Sequence, residues 1–263
     1  MRILFNLFVT LVVLSFMSSC NTGNRPPKAI PVDNEPVAEF VSWEGIYAGV
    51  LPCADCTGIE TIIELNEDGS FIVRTMYQEK SNDVFESKGI IEWKDGTDVI
   101  ILNVEGGNNV PMQYSVEDGK LVQLDIDGNF ITGDLAENYV LSKVDKNLVE
   151  KYWKLTEING QPVIMEESVI HEPHFILKIF GNRINGNSSC NNFFGTYQVS
   201  ADNKIEFSQM AATKMFCINM EIESQLFKVF EMADNYVVTD GKVLVLNNAE
   251  MESLAQFEVA CFE

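Results

Sequence analysis

Histidine is almost missing from this chain: only His171 and His174 occur in 263 residues. Pro173 lies between them and would break any helix that aligned them, and in a strand they would face opposite sides, so a loop beside a strand is expected. Also missing are the Gly-x-Ser-x-Gly, His-Glu-x-x-His and phosphate-loop strings, and with them the common hydrolase, zinc-protease and nucleotidase readings. Basic residues are scarce, 18 Lys and Arg against 39 Asp and Glu, for a net charge of −21. Such a surface repels nucleic acid and anionic head groups, so neither is expected as a partner. A sustained helical period is absent until about residue 221, and long apolar runs are absent except at the start.

That starting run, Ile3–Phe16, follows Arg2 and is interrupted only by Asn6, Thr10 and Ser15. It falls short of the roughly 20 apolar residues that a membrane span needs and fits the apolar region of a cleaved signal. Met17-Ser18-Ser19-Cys20 resembles a lipobox, which implies a signal over residues 1–19 and acylation of Cys20. Several acyl chains on one residue would give stable anchoring. Asn21, rather than aspartate, follows; by resemblance to enterobacterial sorting this implies the outer membrane, facing the periplasm. Residues 20–42, with Pro26, Pro27, Pro31 and Pro36, read as a lipidated tether too polar for a core.

Export brings an oxidising compartment in which disulfides persist. Lipidation of Cys20 leaves an odd set from the six cysteines: Cys53, Cys56, Cys190, Cys217 and Cys261. At least one is therefore expected to stay free, to pair between chains, or to bind something.

From Trp43 to Asp145, apolar alternation marks strands at 45–51, 59–65, 70–77, 85–94, 98–104, 110–116, 120–126 and 138–144. The dipeptides Asp68-Gly69, Asp95-Gly96, Asp118-Gly119 and Asp127-Gly128 separate them, which is hairpin chemistry. Short strands at this spacing predict an up-and-down antiparallel barrel or sandwich. Asp125-Ile126-Asp127-Gly128-Asn129 is calcium-loop-like only in passing. Glycine falls at the fourth position rather than the sixth, and Ala136 stands where a bidentate Glu belongs, so a hairpin turn is expected.

The stretch Tyr47-Ala-Gly49-Val-Leu-Pro52-Cys53-Ala-Asp55-Cys56-Thr-Gly58-Ile59 resembles the signature of the NlpE N-terminal domain, a family of copper-resistance-linked envelope lipoproteins. The resemblance implies a small lipocalin-like barrel over residues 43–145 and a role in envelope stress or copper homeostasis. Two sulfurs three positions apart on a Pro/Gly-bounded turn either close a disulfide or grip a soft metal, Cu(I) being the candidate at Cys53 and Cys56, with Asp55 shaping the turn. A thioredoxin-type centre would need a helix after the second cysteine, whereas Thr57–Ile63 continues as a β-branched strand.

Residues 146–263 change pattern. Trp153-x-Leu…Asn-Gly, then Gly186-x-x-x-Cys190-Asn191-Asn192-x-x-Gly195-x-Tyr197, then Ala-Thr213-x-Met215-x-Cys217, resemble the META domain of HslJ-type proteins. The resemblance implies a compact β-rich fold with one packed helix and no established catalysis. Gly186 and Gly195 suit tight backbone geometry, Asn191 and Asn192 suit turn hydrogen bonds, and Cys190 and Cys217 either pair or pack. Met210, Met215, Cys217 and Met220 form a sulfur-rich string read here chiefly as core filler rather than as a copper site. The helix is expected at Glu221–Ala233, with Ile222, Leu226, Val229, Phe230 and Ala233 on one face and Asn219 as cap.

The expected fold is thus mainly β: a lipocalin-like barrel followed by a META domain. The expected protein is a lipid-anchored binding or sensing module, not an enzyme, that requires no cofactor and meets an envelope protein partner. Two alternatives stand beside it: a structural or small-ligand lipoprotein with Cys53–Cys56 as a plain disulfide, and a thiol–disulfide redox protein.

Overall fold

Strict alternation through the first half builds a barrel without edges. The computed structural model describes residues 42–106, 112–164, 171–217 and 220–260, which lie within one compact unit. The signal segment, Cys20, the tether up to residue 41, Asn219 and Cys261 therefore lie outside the described residues. The barrel strands are β1 (Gly45–Leu51), β2 (Ile59–Leu65), β3 (Ser70–Tyr77), β4 (Phe85–Trp93), β5 (Val99–Val104), β6 (Met112–Glu117), β7 (Lys120–Gln123) and β8 (Val140–Val144). Each pairs antiparallel with the next, and β8 returns to β1 through Ile46↔Val144, Tyr47↔Lys143 and Ala48↔Ser142.

The inward positions hold Tyr47, Leu51, Ile63, Leu65, Phe71, Val73, Ile100, Leu102 and Leu141, all buried in one cluster. Gly69 (φ +79°) and Gly119 (φ +66°) make the left-handed turns that L-residues resist. Strand β7 stops at Gln123, earlier than the alternation suggests, because Asp125 bends the chain. Its carboxylate accepts from the backbone N–H of Asp127 (2.9 Å) and Asn129 (2.8 Å), between the bridged pair Leu124 and Phe130. The calcium-like string is a turn.

The second sheet contains β9 (Trp153–Ile158), β10 (Gln161–Pro162), β11 (His174–Lys178), β12 (Arg183–Asn187), β13 (Asn192–Ser200), β14 (Lys204–Ala212), β15 (Asn235–Thr239), β16 (Val243–Asn247) and β17 (Ser253–Val259). It too closes, because β17 pairs back along β9, but β14 meets β15 only at Lys204↔Asn235. Between those two strands in sequence runs α1 (Glu221–Met232). Leu226, Val229 and Phe230 are its buried face, with Ile222 and Ala233 partly buried beside them. The Phe230 ring lies 4.9 Å from Phe207, 5.3 Å from Phe193 and 5.9 Å from Phe175. The helix is therefore the plug of the second core.

One expectation needs correction, and one stretch without an assignment receives one. The capping position of α1 is Met220, with no side-chain cap bond. The string from Arg183 to Tyr197 forms a regular hairpin, β12–β13, although glycines and asparagines interrupt its alternation.

The two sheets meet: Val144 of β8 packs against the second core, and β2, on the other side of β1, meets the second sheet as well. Ile63 and Leu65 point into the barrel, so Glu60 and Ile62 of β2 face outward. Both are nonetheless only 6% exposed, and β2 contacts the turn Phe180–Asn182 of the second sheet.

Candidate functional site

Pro52 ends β1, and the chain turns through Cys53–Thr57 before Ile59 opens β2. Cys53 and Cys56 are joined by a disulfide, with their Cα atoms 5.3 Å apart. The Sγ of Cys53 lies 3.6 Å from Asp55 Oδ1, and ligand-type atoms of Cys53, Asp55 and Cys56 all fall within 4.8 Å of one another. Asp55 is exposed and ion-paired to Lys80 from the β3–β4 loop. That ammonium, by hydrogen bond first and charge second, holds the Asp55 carboxyl below its ordinary range. Thr57 donates to Glu79 (2.6 Å), and the Gln78 backbone N–H donates to the Gly58 carbonyl (3.0 Å). The β3–β4 loop thus braces the cysteine turn from the side, a support invisible to the motif because Gln78–Lys80 lie more than 20 residues away.

Gly58 is required by crowding: a Cβ there would collide with the Val50 side chain and press on Gln78 Oε1. Gly49 lies in β1 against the Val140 carbonyl, and Tyr47 donates from inside the barrel to the Trp43 carbonyl (2.8 Å). Burial, then the Glu44 charge, pushes the Tyr47 phenol up to about 12.

The fit of this turn to a soft metal depends on oxidation state. With the sulfurs bonded to each other there is no thiolate to donate, so the oxidised turn does not fit Cu(I). Reduced, it would offer two half-buried thiolates beside an exposed carboxylate, a donor set suited to soft metal ions. The residue after Gly58 enters a strand, so no helix N-terminus is present to activate either thiol.

In the second sheet, Cys190 and Cys217 also form a disulfide, with Cα atoms 6.1 Å apart, and both are buried. Asn191 is the hub. Its Oδ1 accepts from Thr213 Oγ1 (2.7 Å) and the Met215 N–H (2.8 Å), and its Nδ2 donates to the Met215 carbonyl (3.1 Å). Glu223, in the first turn of α1, accepts from Asn191 N–H (3.2 Å), Asn191 Nδ2 (3.1 Å) and Ser188 Oγ (2.5 Å). The motif singled out Asn191 but not Glu223; an acid in a first helical turn was the available signal.

Asn192 accepts from Asn187 Nδ2 (2.9 Å). Gly186 faces the His174 carbonyl and the Phe193 ring too closely for any Cβ, and Gly195 faces Met210. Trp153 is wholly buried, its Nε1 donating to the Leu148 carbonyl (2.7 Å). Tyr197 donates to the Lys178 carbonyl (3.3 Å), and burial raises its phenol. Met215 is 50% exposed and so is not core filler, while the Cys217 sulfur is committed to the disulfide. His171 sits in a bend just before β11 and His174 begins that strand. These contacts fix local geometry around the buried disulfide and the β11–β13 strands.

Residues 47–134 match the NlpE N-terminal domain family, and residues 146–260 match the META domain family. The lipoprotein NlpE of Escherichia coli (strain K12) is 29% identical over 144 residues, 53% of this chain. The chain spans only 56% of that relative's length. Among solved structures, a candidate lipoprotein from Shewanella oneidensis is 39% identical, with a TM-score of 0.35, covering 39% of this chain and 90% of the other. The Cpx pathway activator NlpE from Escherichia coli is 18% identical, with a TM-score of 0.28, covering 82% of this chain and 93% of the other. No helix among the described residues is long and apolar enough to cross a membrane.

Proposed function

We propose that this chain, an NlpE N-terminal domain passing near Asp145 into a META domain, is an envelope lipoprotein that senses or captures a ligand and carries out no catalysis. Lipidation at Cys20, the tether over residues 20–42 and an outer-membrane station belong to this proposal. The likeness to the Escherichia coli lipoprotein NlpE supports the lipoprotein reading, and a place in envelope stress sensing is what the NlpE resemblance implies. The observation that carries the site assignment is the cluster of half-buried Cys53 and Cys56 with exposed Asp55, braced by Lys80.

The ligand proposed for the reduced turn is Cu(I). A dithiol reductant supplies two electrons and two protons to the Cys53–Cys56 bond and is itself oxidised to a disulfide. Binding Cu(I) then displaces the thiol protons. A second reading is favoured by the closed bond itself: a structural disulfide on a turn.

One titration separates them. Reduced wild type and Cys53→Ser are titrated with Cu(I) against a competing chelator. Under the copper reading the wild type takes one equivalent with thiolate-like absorbance and the variant does not. Equal affinities would leave the turn structural.

A further inference from the structure

Outside the barrel, between β1–β2 and the turn Phe180–Asn182, lies a cavity of about 190 Å³. Ala48, Ile62, Ile179 and Phe180 give it apolar walls; Glu60 and Gln78 supply polar groups. Glu60 is 94% buried by its 6% residual exposure, although it sits on the barrel's outer face. Its Oε1 accepts from Gln78 Nε2 at 3.0 Å, whereas no donor among the described residues reaches its buried Oε2. An enclosed carboxylate oxygen without a donor is costly, since its lost hydration is not replaced. The lining includes no lysine or arginine to offset it.

We propose that this cavity binds the head group of a primary alkylammonium ion, with Glu60 as its counter-charge. The positive charge and three N–H donors of such a group match an unpaired carboxylate oxygen. A short aliphatic stem matches the walls, and Phe180 offers an aromatic surface to the cation. A hard divalent metal does not match, since it takes six or more oxygen ligands and the lining has one carboxylate. A quaternary ammonium has the charge but no N–H to give Oε2. The volume corresponds to roughly six water molecules at about 30 Å³ each, enough for a few heavy atoms.

The test is calorimetric titration of the full chain with n-butylammonium, tetramethylammonium and Nα-acetyl-lysine amide. Butylammonium is expected to bind saturably and tetramethylammonium not to bind. Glu60→Gln, nearly the same shape without the charge, is expected to weaken butylammonium by about tenfold or more. Ala48→Leu, which fills the cavity and leaves Glu60 in place, is expected to abolish binding, and it keeps the test decisive if Glu60→Gln fails to fold. Binding of the lysine derivative as well would assign the head group to a side chain; binding of butylammonium alone would assign it to a free amine. No saturable heat with butylammonium, equal binding of tetramethylammonium, or unchanged affinity in both variants overturns the proposal.

Discussion

Both sheets close on themselves, β8 onto β1 and β17 onto β9, but the barrel's ladder is continuous at every junction, whereas the second sheet thins to the single pair Lys204↔Asn235 between β14 and β15. The disulfides follow the same division. Cys53–Cys56 spans a separation of 3 residues on an exposed turn, and Cys190–Cys217 spans 27 inside a buried network. The barrel is an unbroken ladder around an apolar lining. The second sheet has α1 inserted at its thin β14–β15 junction, and the helix plug, the Cys190–Cys217 staple and the Asn191–Glu223 hub gather around that insertion. The barrel is therefore expected to lean less on its short disulfide than the second sheet leans on its fasteners.

The strongest way to break this contrast is to pull the plug. Phe230→Ala removes the ring that joins Phe175, Phe193 and Phe207, and it should cost about 3–5 kcal/mol in urea unfolding. A loss below about 1 kcal/mol would mean that the strands alone hold the second core.

Next come the two staples. By loop-closure entropy, replacing Cys190 and Cys217 with serine should cost about 3–4 kcal/mol, against about 2 kcal/mol or less for Cys53 and Cys56. Urea midpoints of the two double variants compare them directly. A larger loss for the exposed pair would reverse the division of labour drawn here.

The smallest effect sharpens the barrel's side. Tyr47 has a phenol raised from about 10 to about 12 by burial and the Glu44 charge. A raised folded value means that the stabilisation is whole below pH 10 and drains away as the pH climbs through 12. Two units correspond to about 2–3 kcal/mol. Tyr47→Phe should flatten the fall in urea midpoint between about pH 10 and 12, while losing about 1 kcal/mol at neutral pH with its bond to Trp43. An unflattened alkaline slope would assign that fall to other groups.

The same contrast governs what could be read from residues alone. Strands β1, β2 and β3 have the bounds that alternation and Asp-Gly turns predict, because in a hairpin barrel local pattern and tertiary pairing agree. The β12–β13 hairpin was not legible, since Gly186, Asn187 and Gly195 interrupt the period for reasons that lie across the sheet, in His174, Phe193 and Met210. The pairing of Cys190 with Cys217 was left open because cysteine positions do not determine connectivity. The turn at Cys53–Cys56 was legible as a turn with two sulfurs. Its brace from Thr57–Glu79 and Asp55–Lys80 was not, being a contact between loops. Glu60 reads in sequence as an ordinary outward acid of an amphipathic strand, and only the neighbouring sheet buries it.

Closure of β8 onto β1 also limits how a partner can approach the barrel. An open sheet invites strand addition, in which a guest peptide borrows the backbone N–H and C=O groups of an edge and is recognised with little regard to sequence. This barrel has no edge to lend. Whatever docks there must be recognised through loop ends and side chains, so a partner's specificity will be written in residues such as those of the β1–β2 and β3–β4 loops rather than in main-chain pairing, and point substitutions in those loops can redirect it without disturbing the ladder beneath.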